Sequence, residues 1–268
     1  MGKLYVVSTP IGNLEDVSLR ALRVLREVSL IAAEDTRVTR KLLSRYDIHT
    51  RLVPYHQHNQ RYQASVVLHA LDAGDVALVS DAGTPVLSDP GQDLIRAAIG
   101  LGVEVVAVPG PSAITHALTV AGLDAEPFLF AGFLPALRRE REARLHELAP
   151  IRATLVLFEA PHRVRQTLHD LYAALGDRKV AVCRELTKLH EQVIRTTLGQ
   201  AADRVPERGE FTLVVEGAPP PKPEGMEAAE ARLRALLAQG VSHKDAAATV
   251  SAELGLPKRQ LYKLSLTM

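Results

Sequence analysis

Short aliphatic and β-branched runs alternate with helix-period segments along most of the chain. KLYVVS (3–8) reads as a strand, SLRALRVLREV (18–28) as a helix capped by Ser18, and SLIAAED (29–35) as a second strand. TRKLLSRY (39–46) reads as a helix, RLVPYH (51–56) as strand-like, and QASVVLHALDAG (63–74) as a helix that stops at Gly74. VALVS (76–80) and EVVAVPG (104–110) are further strands, separated by the helix GQDLIRAAIGLG (91–102). The strand runs are apolar throughout rather than alternating, which implies a parallel sheet covered on both faces.

A second alternating set follows: FLFAGF (128–133), a charged helix over 136–149, TLVLFE (154–159), a helix ending at Leu175, KVAVCRE (179–185) and FTLVVEG (211–217). APPPKPEG (218–225) reads as a Pro-rich linker. Two or three short helices then cover MEAAEARLRALLAQG, SHKDAAATVSAELG and PKRQLYKLSL. The pattern predicts an α/β protein with two α/β domains, 1–118 and 119–219, and a small helical appendix, 226–268.

Composition changes this picture little. A chain of 268 residues with 47% apolar and 24% charged residues can bury a substantial core. No apolar run approaches the ~20 residues of a membrane span, and MGKLYVVSTP lacks the shape of a signal peptide. The single cysteine, Cys183, lies in an apolar run, excludes an internal disulfide and fits a reducing cytoplasm. A net charge of +1 leaves any contact with nucleic acid to local patches. No P-loop, G-x-G-x-x-G, H-E-x-x-H, G-x-S-x-G or Cys-x-x-Cys occurs, so the common nucleotide, metal and nucleophile signatures are absent. His56 and His58 have the spacing of a metal pair, but polar surface is the favoured reading, and no metal is expected.

Chemistry-bearing residues gather where the strands end, which is where open α/β sheets bind ligands. Those stretches are STPIGN (8–13), AEDTR (33–37), SDAGTP (80–85) and PGPSA (109–113). The loop from Ser80 to Gly91 carries two Asp, two Gly and two Pro in twelve residues. Such a length and composition exceed what a turn needs. Asp89 reads as the cap of a helix starting near Pro90. In the second half, FEAPHR (158–163) and CRELTKLHE (183–191) place Glu159, His162, Arg163, Arg184, Glu185 and Lys188 at strand ends.

The ordered set STPIGNLEDVS, AEDTR, SDAGTPVLSDPG, PGPSA, FEAPHR and CRELTKLHE closely resembles the tetrapyrrole-methylase superfamily, and within it the branch that modifies ribosomal RNA. The resemblance extends over essentially the whole chain. It implies a class III methyltransferase fold and S-adenosylmethionine as donor, bound in a cleft between two α/β domains. It further implies a homodimer and 2′-O-methylation of a decoding-centre cytidine in 16S rRNA, within the 30S subunit. On this reading Asp81 faces the cationic donor, with Thr84 and the backbone at Gly83. Ser112 and Ala113 match positions that hold the nucleoside part, Pro10 and Ile11 add backbone contacts, and Phe158 is either an apolar wall or core.

Acceptor-side candidates are Glu185, Lys188, Arg184 and His162 for catalysis, with Glu185 either a base or part of an ion-paired scaffold. Glu34, Asp35, Arg37 and Arg163 are candidates for shaping the acceptor pocket, while Asp35 or Thr36 could equally cap a helix. Arg138, Arg139, Arg141 and Arg144, interleaved with Glu140, Glu142 and Glu147, offer either phosphate contacts or a solvated, ion-paired helix. Lys258, Arg259 and Lys263 around Tyr262 fit a helix-turn-helix-like RNA clamp, with dimerisation or packing as the competing role. A small-molecule tetrapyrrole methylase is the alternative activity, and a non-catalytic RNA-binding module the third.

Overall fold

The computed structural model describes residues 1–220 and 225–268, so part of the Pro-rich 218–225 stretch lies outside the described residues. The described residues divide into two compact units, 1–218 and 219–268.

The first unit begins with an α/β layer. Its elements are β1 (Leu4–Val7), α1 (Leu19–Glu27), β2 (Leu30–Ala33), α2 (Thr36–Arg45), β3 (Leu52–Pro54), α3 (Gln60–Ala70), β4 (Val76–Val79), α4 (Gln92–Gly100) and β5 (Val105–Val108). The strands form one parallel sheet in the order β3-β2-β4-β1-β5. β2 and β4 are buried along their whole length, which is why their sequences are apolar without alternation. One cluster packs Leu22, Leu25, Leu42 and Leu43 of α1 and α2 on one face of the sheet. Another packs Val67 and Leu94 of α3 and α4 on the other. Ser18 caps α1 as expected, its hydroxyl accepting from the Ala21 N–H at 3.0 Å.

α5 (Ala113–Ala121) leads to the second sheet, built from β6 (Phe128–Phe133), α6 (Arg138–Leu148), β7 (Thr154–Glu159), α7 (Val164–Leu175), β8 (Lys179–Arg184), β9 (Gln192–Thr197), α8 (Leu198–Arg204) and β10 (Phe211–Val215). The strand order is β6-β7-β10-β8-β9, and only β6 and β7 run parallel. β9 and α8 are additions to the sequence-predicted elements. Ile114, Ala117, Leu118 and Ala121 of α5 pack on one face of this sheet, against Val156, Ala181, Cys183 and Val214. The leucines of α6 and α7 cover the other face. Cys183 is buried, and burial pushes its thiol up to about 12, so it is inert.

α6 is a helix laced with ion pairs. Arg138 meets Glu142 at 2.7 Å and Arg144 meets Glu147 at 2.7 Å. Arg141 is committed to Asp170 at 2.7 Å and to the carbonyls of Pro135 and Ala136.

The second unit holds α9 (Met226–Ala238), α10 (His243–Leu254) and α11 (Lys258–Ser265). They close on a small core that includes Leu233, Leu236, Val250 and Leu261. Arg232 forks onto both carboxylate oxygens of Glu253 at 2.9 Å, tying α9 to α10. Lys258, Arg259, Tyr262 and Lys263 are exposed along one face of α11, at i, i+1, i+4 and i+5.

The loop leaving β4 is strained, as is the turn at Glu185 and Thr187, whose φ values are 54 and 65°. Gly83, Val86, Ser88 and Gly91 all have positive φ, at 75, 80, 67 and 132°. A Cβ on Gly91 would also meet Leu78 Cδ2 of the core at 2.7 Å. Gly91→Ala should therefore destabilise the protein by roughly 1–3 kcal/mol, read as a lower denaturant midpoint. Gly100→Ala, in the same helix with open space around it, should be neutral or stabilising by up to about 1 kcal/mol. Equal effects at the two positions would refute the account of the loop.

Candidate active site

A cavity of about 440 Å³ opens where the strand ends of the two sheets face each other. From the first sheet it takes Ile11 after β1, Glu34 after β2, the loop residues from Asp81 to Thr84 and Leu87 to Asp89 after β4, and Ser112, Ala113 and Ile114 at the start of α5. From the second it takes Phe133, Phe158, Glu159, Leu186, and the start of β10 at Glu210, Phe211 and Thr212.

Backbone bonds fix the relative position of these loops. The Thr9 N–H donates to the Gly83 carbonyl at 2.9 Å and the Gly83 N–H donates back at 3.0 Å. The Ser8 and Thr84 hydroxyls are paired at 3.0 Å, and the Thr9 hydroxyl donates to the Ser80 carbonyl at 3.1 Å. Across the site, Gly12 lies so close to the 186–188 turn that a Cβ would meet Lys188 Cγ at 2.5 Å. Phe158 stands edge-on to Phe130 and Phe133, with centroids 4.9 and 5.6 Å apart, so it is both packed and exposed to the cavity.

Three carboxylates define the electrostatics. The Asp81 carboxylate accepts from the Asp35 N–H at 2.8 Å, while the Asp81 N–H donates to Glu34 Oε2 at 3.3 Å. Burial raises both the Glu34 and the Asp81 carboxyls above their ordinary values. Asp89 is pushed up to about 6, by burial first and by Glu34 second. No lysine or arginine is among the described residues lining the cavity. The site is therefore negative and holds both apolar walls and acceptors.

The sequence-predicted site residues fall into two groups. Ile11, Asp81, Gly83, Thr84, Ser112, Ala113, Phe158 and Glu34 line the cavity. Pro10 is buried behind it. Asp35 caps α2, accepting from the Arg37 N–H at 2.8 Å, and its carboxylate binds the Arg37 guanidinium, which holds it down at about 2. Arg163 donates to the carbonyls of Leu134 and Pro135, and His162 is exposed outside the lining.

Glu185 and Lys188 form an ion-paired scaffold. Lys188 Nζ sits 3.0 Å from Glu185 and 3.1 Å from Glu210, and the Glu210 N–H donates to Glu185 at 2.9 Å. Burial works to raise the Glu185 carboxyl, but Lys188 and the Glu210 amide outweigh it and hold it below its ordinary value. The same partners overcome burial at Lys188 and raise its pKa, so it stays charged. Arg184 donates to the Arg208 carbonyl at 2.6 Å. Arg184, Glu185, Lys188 and Glu210 tie the turn that carries Leu186 to the start of β10, so that Leu186 and Glu210 enter the wall together.

Asp89 is a correction. The N-cap of α4 is Gly91, which makes no side-chain cap bond, and Asp89 instead faces the cavity. Pro90 suggested a helix start, but Gly91 at φ 132° separates it from the helix. Leu87, Ser88, Phe133, Glu210, Phe211 and Thr212 were not anticipated. His56 and His58 have ring centroids 6.0 Å apart. Among the described residues, no group of three or more His, Cys, Asp or Glu is arranged for a metal ion, and no helix is long and apolar enough to cross a membrane.

The Asp89 shift makes a pH-dependent prediction. Its folded pKa is about 6 against an ordinary 3.8, so the folded state binds that proton more tightly than the unfolded chain. The resulting stabilisation is complete below about pH 3.8 and is lost as pH rises through about 6. Asp89→Asn, neutral throughout, should raise the melting temperature at pH 8 and leave it unchanged at pH 4. A constant difference across this range would exclude the assignment.

Comparison with known proteins agrees with the fold. Residues 3–202 match the family model for tetrapyrrole (corrin/porphyrin) methylases, and residues 224–268 match the RsmI C-terminal HTH domain. The ribosomal RNA small subunit methyltransferase I of Halalkalibacterium halodurans is 44% identical over 98% of this chain and 94% of its own. That of Synechocystis sp. is 46% identical over 100% and 99%. Among solved structures, the methyltransferase CobJ superposes with a TM-score of 0.63 at 19% identity, over 83% of this chain and 97% of its own, a likeness of fold. The chain belongs to the tetrapyrrole (corrin/porphyrin) methylase family, and within it to the group of the ribosomal RNA small subunit methyltransferases I.

Proposed function

We propose that this protein transfers a methyl group from S-adenosylmethionine to the ribose 2′-hydroxyl of a decoding-centre cytidine in 16S rRNA. The observation that carries this reading is the cation-free, carboxylate-bearing cavity at the meeting of two sheets. It is supported by full-length relatives named as ribosomal RNA small subunit methyltransferases I. A ligand with a sulfonium, an ammonium and a nucleoside fits such a donor set. Asp81 faces the positive charges, Ile114, Phe158 and Leu186 cover the apolar part, and Ser112 and Ala113 meet the nucleoside at the start of α5. When bound, the cofactor supplies an activated methyl group, so what remains for the protein is placement.

In this reading residues 1–118 and 119–219 act as two lobes around the cavity, with the acceptor entering over β2 and β4. The chain's own residues orient the hydroxyl, exclude water and hold a negative field against the cationic donor. In-line alignment is the largest contribution such a site can make. Arg184, Glu185 and Lys188 act as positioning residues, because Glu185 is held ionised in a short bridge and Lys188 stays protonated. The exposed Lys258, Arg259 and Lys263 face of α11 contacts RNA phosphates. The assembly works in the cytoplasm as a homodimer on the 30S subunit.

Radiolabelled methyl transfer to 30S subunits, naked 16S rRNA and a precorrin-type tetrapyrrole tests the activity, with mass spectrometry locating the modified nucleotide. Methylation of the tetrapyrrole alone would overturn it.

Two variants probe its parts. Asp81→Ala should weaken S-adenosylmethionine binding by roughly tenfold or more, since hydrogen bonds to charged groups contribute about 1.5–3 kcal/mol and each 1.4 kcal/mol is about tenfold. Calorimetry reads this, with circular dichroism as the control for folding. Unchanged affinity would take Asp81 out of the donor site.

Replacing Lys258, Arg259 and Lys263 together with Ala should leave cofactor affinity intact, weaken RNA binding and flatten its salt dependence by about 0.7–0.9 per lost contact. If the salt slope stays at its wild-type value, α11 does not touch phosphate.

A further inference from the structure

A second cavity of about 300 Å³ borders the first and shares three of its residues, Glu34, Ser88 and Asp89. Its other walls come from Gln57 and Gln60, before and at the start of α3, and from Gly91, Gln92 and Asp93, where α4 begins. The cofactor reading leaves this space unused. It lies at the lower end of the ~300–1,000 Å³ of small-molecule pockets.

Position narrows what could enter. In a 2′-O-methyl transfer the reacting oxygen sits on the ribose carbon next to the one that carries the base. A pocket for that base must therefore adjoin the methyl-donor pocket. Another cavity, between Arg26 and Arg51, shares no residue with the donor pocket and does not meet this condition.

Chemistry narrows it further. Among the described residues, neither bordering cavity is lined by lysine or arginine. A phosphate would meet only negative charge there. The polar groups present are of two kinds. The carboxylates of Glu34, Asp89 and Asp93 accept hydrogen bonds, and the Ser88 hydroxyl can also accept. The amides of Gln60 and Gln92 can donate, and so can the first-turn N–H groups of α4, because its N-cap Gly91 has no side chain to occupy them. Acceptors and donors side by side match a base with an exocyclic amino group beside a ring-nitrogen acceptor. Carboxylates are suited to the amino group of cytosine. Uracil reverses the pattern, with a carbonyl where the amino group stands and an N–H on the ring nitrogen.

We propose that this second cavity receives the base of the acceptor nucleotide, turned out of the RNA strand, and selects an amino-bearing pyrimidine. Asp89 and Glu34 accept from the exocyclic amino group, while Gln92 and Gln60 donate to the neighbouring ring nitrogen and carbonyl. The inference rests on the methyl-transfer reading above and adds the residues that choose the base. Single-stranded RNA bases are read in this manner on their Watson–Crick edges. The site also accounts for a half-buried acid: Asp89, pushed up to about 6 by partial burial despite a hydrogen bond from the Ser80 side chain, gains a further donor from an amino group placed against it.

The test uses 30S subunits reconstituted with cytidine or uridine at the modified position. Methyl-transfer kcat/KM is measured for the wild type, Gln92→Leu and Gln60→Leu, with S-adenosylmethionine affinity read by calorimetry. The wild type should prefer cytidine by on the order of tenfold or more. Each variant should lose most of that preference, mainly through slower cytidine methylation, with cofactor affinity within about twofold of wild type.

A structural role alone would lower both rates together and leave their ratio unchanged, and that result in both variants overturns the base pocket while sparing the methyltransferase reading. Gln92 and Gln57 are exposed, so if Gln60→Leu fails to fold, Gln57→Leu takes its place in the same comparison. A wild type that binds the cofactor yet methylates neither particle overturns the proposed function, and this inference with it.

Discussion

Two reciprocal backbone hydrogen bonds between Thr9 and Gly83 hold the loop after β1 against the loop after β4, and the site depends on that junction. β1 and β4 are neighbours in the sheet, so their outgoing loops would meet in any case. Pairing them fixes the height at which Ile11 and Thr84 enter the cavity. The bonds require a left-handed residue at Gly83, which glycine adopts without penalty. From that anchor the chain runs through Val86 at φ 80° and Ser88 at φ 67°. A β-branched residue in this region is uphill by an amount of the order of 1–3 kcal/mol. The conformation persists because both ends are held, at Gly83 by Thr9 and at Gly91 by the close fit over Leu78. The strained segment carries Leu87, Ser88 and Asp89 into the cavity wall.

The second sheet meets this loop from the other side. β6 slips register between Phe130 and Gly132, and Gly132 lies close to the Ser88 hydroxyl. The slip delivers Phe133 to the cavity beside Phe158. Opposite them, the ion-paired group of Glu185, Lys188 and Glu210 braces the turn against Gly12. The charged residues most conspicuous at the strand ends of the second sheet thus neutralise one another. In the first sheet, Asp35 is paired with Arg37, but Glu34, Asp81 and Asp89 face the cavity without a cationic partner in its described lining, and burial raises them. One wall supplies rigidity and the other supplies field. A cationic ligand is the natural complement of such a field, because it relieves a repulsion that the folded protein already contains.

Much of this was legible in the sequence, for identifiable reasons. Apolar runs without alternation mark β2 and β4 because both faces of the parallel sheet are covered, and the C-terminal ends of those strands then predict Asp81, Gly83 and Thr84 as lining. The same rule fails in the second sheet. β10 runs antiparallel to β7 and β8, pairing Phe211 with Glu159 and with Arg184. Its N-terminal end therefore lies at the edge where its neighbours finish, so Glu210, Phe211 and Thr212 reach the site from the start of a strand. β9 was hidden for another reason. QVIRTT is a partly exposed edge strand whose Arg195 reaches back to the carbonyls of Val120 and Ala121, so no clean apolar period shows. Asp89 was misread because a proline after an acidic residue ordinarily marks a helix start, whereas here Gly91 intervenes.

That intervening glycine links the fold to the chemistry. A helix that began at Pro90 with Asp89 as its cap would spend the carboxylate on its own first-turn amides. Delaying the start to Gly91 releases both partners. The carboxylate turns into the cavities, and the first-turn N–H groups of α4 are left without a side-chain acceptor beside the same space. An uncapped turn and a half-buried carboxylate are each unfavourable in isolation. Placed side by side, the Asp89 carboxylate, which the Ser80 side chain also reaches, and the first-turn N–H groups of α4 offer an acceptor and donors on the same space. Val86 and Ser88, both at positive φ, lie in the segment that carries Asp89 to the cavity wall and not to the helix terminus. Backbone strain, an uncapped helix and a partly desolvated acid are thus aspects of one arrangement, which turns both an acceptor and donors toward the cavities instead of pairing them within the helix.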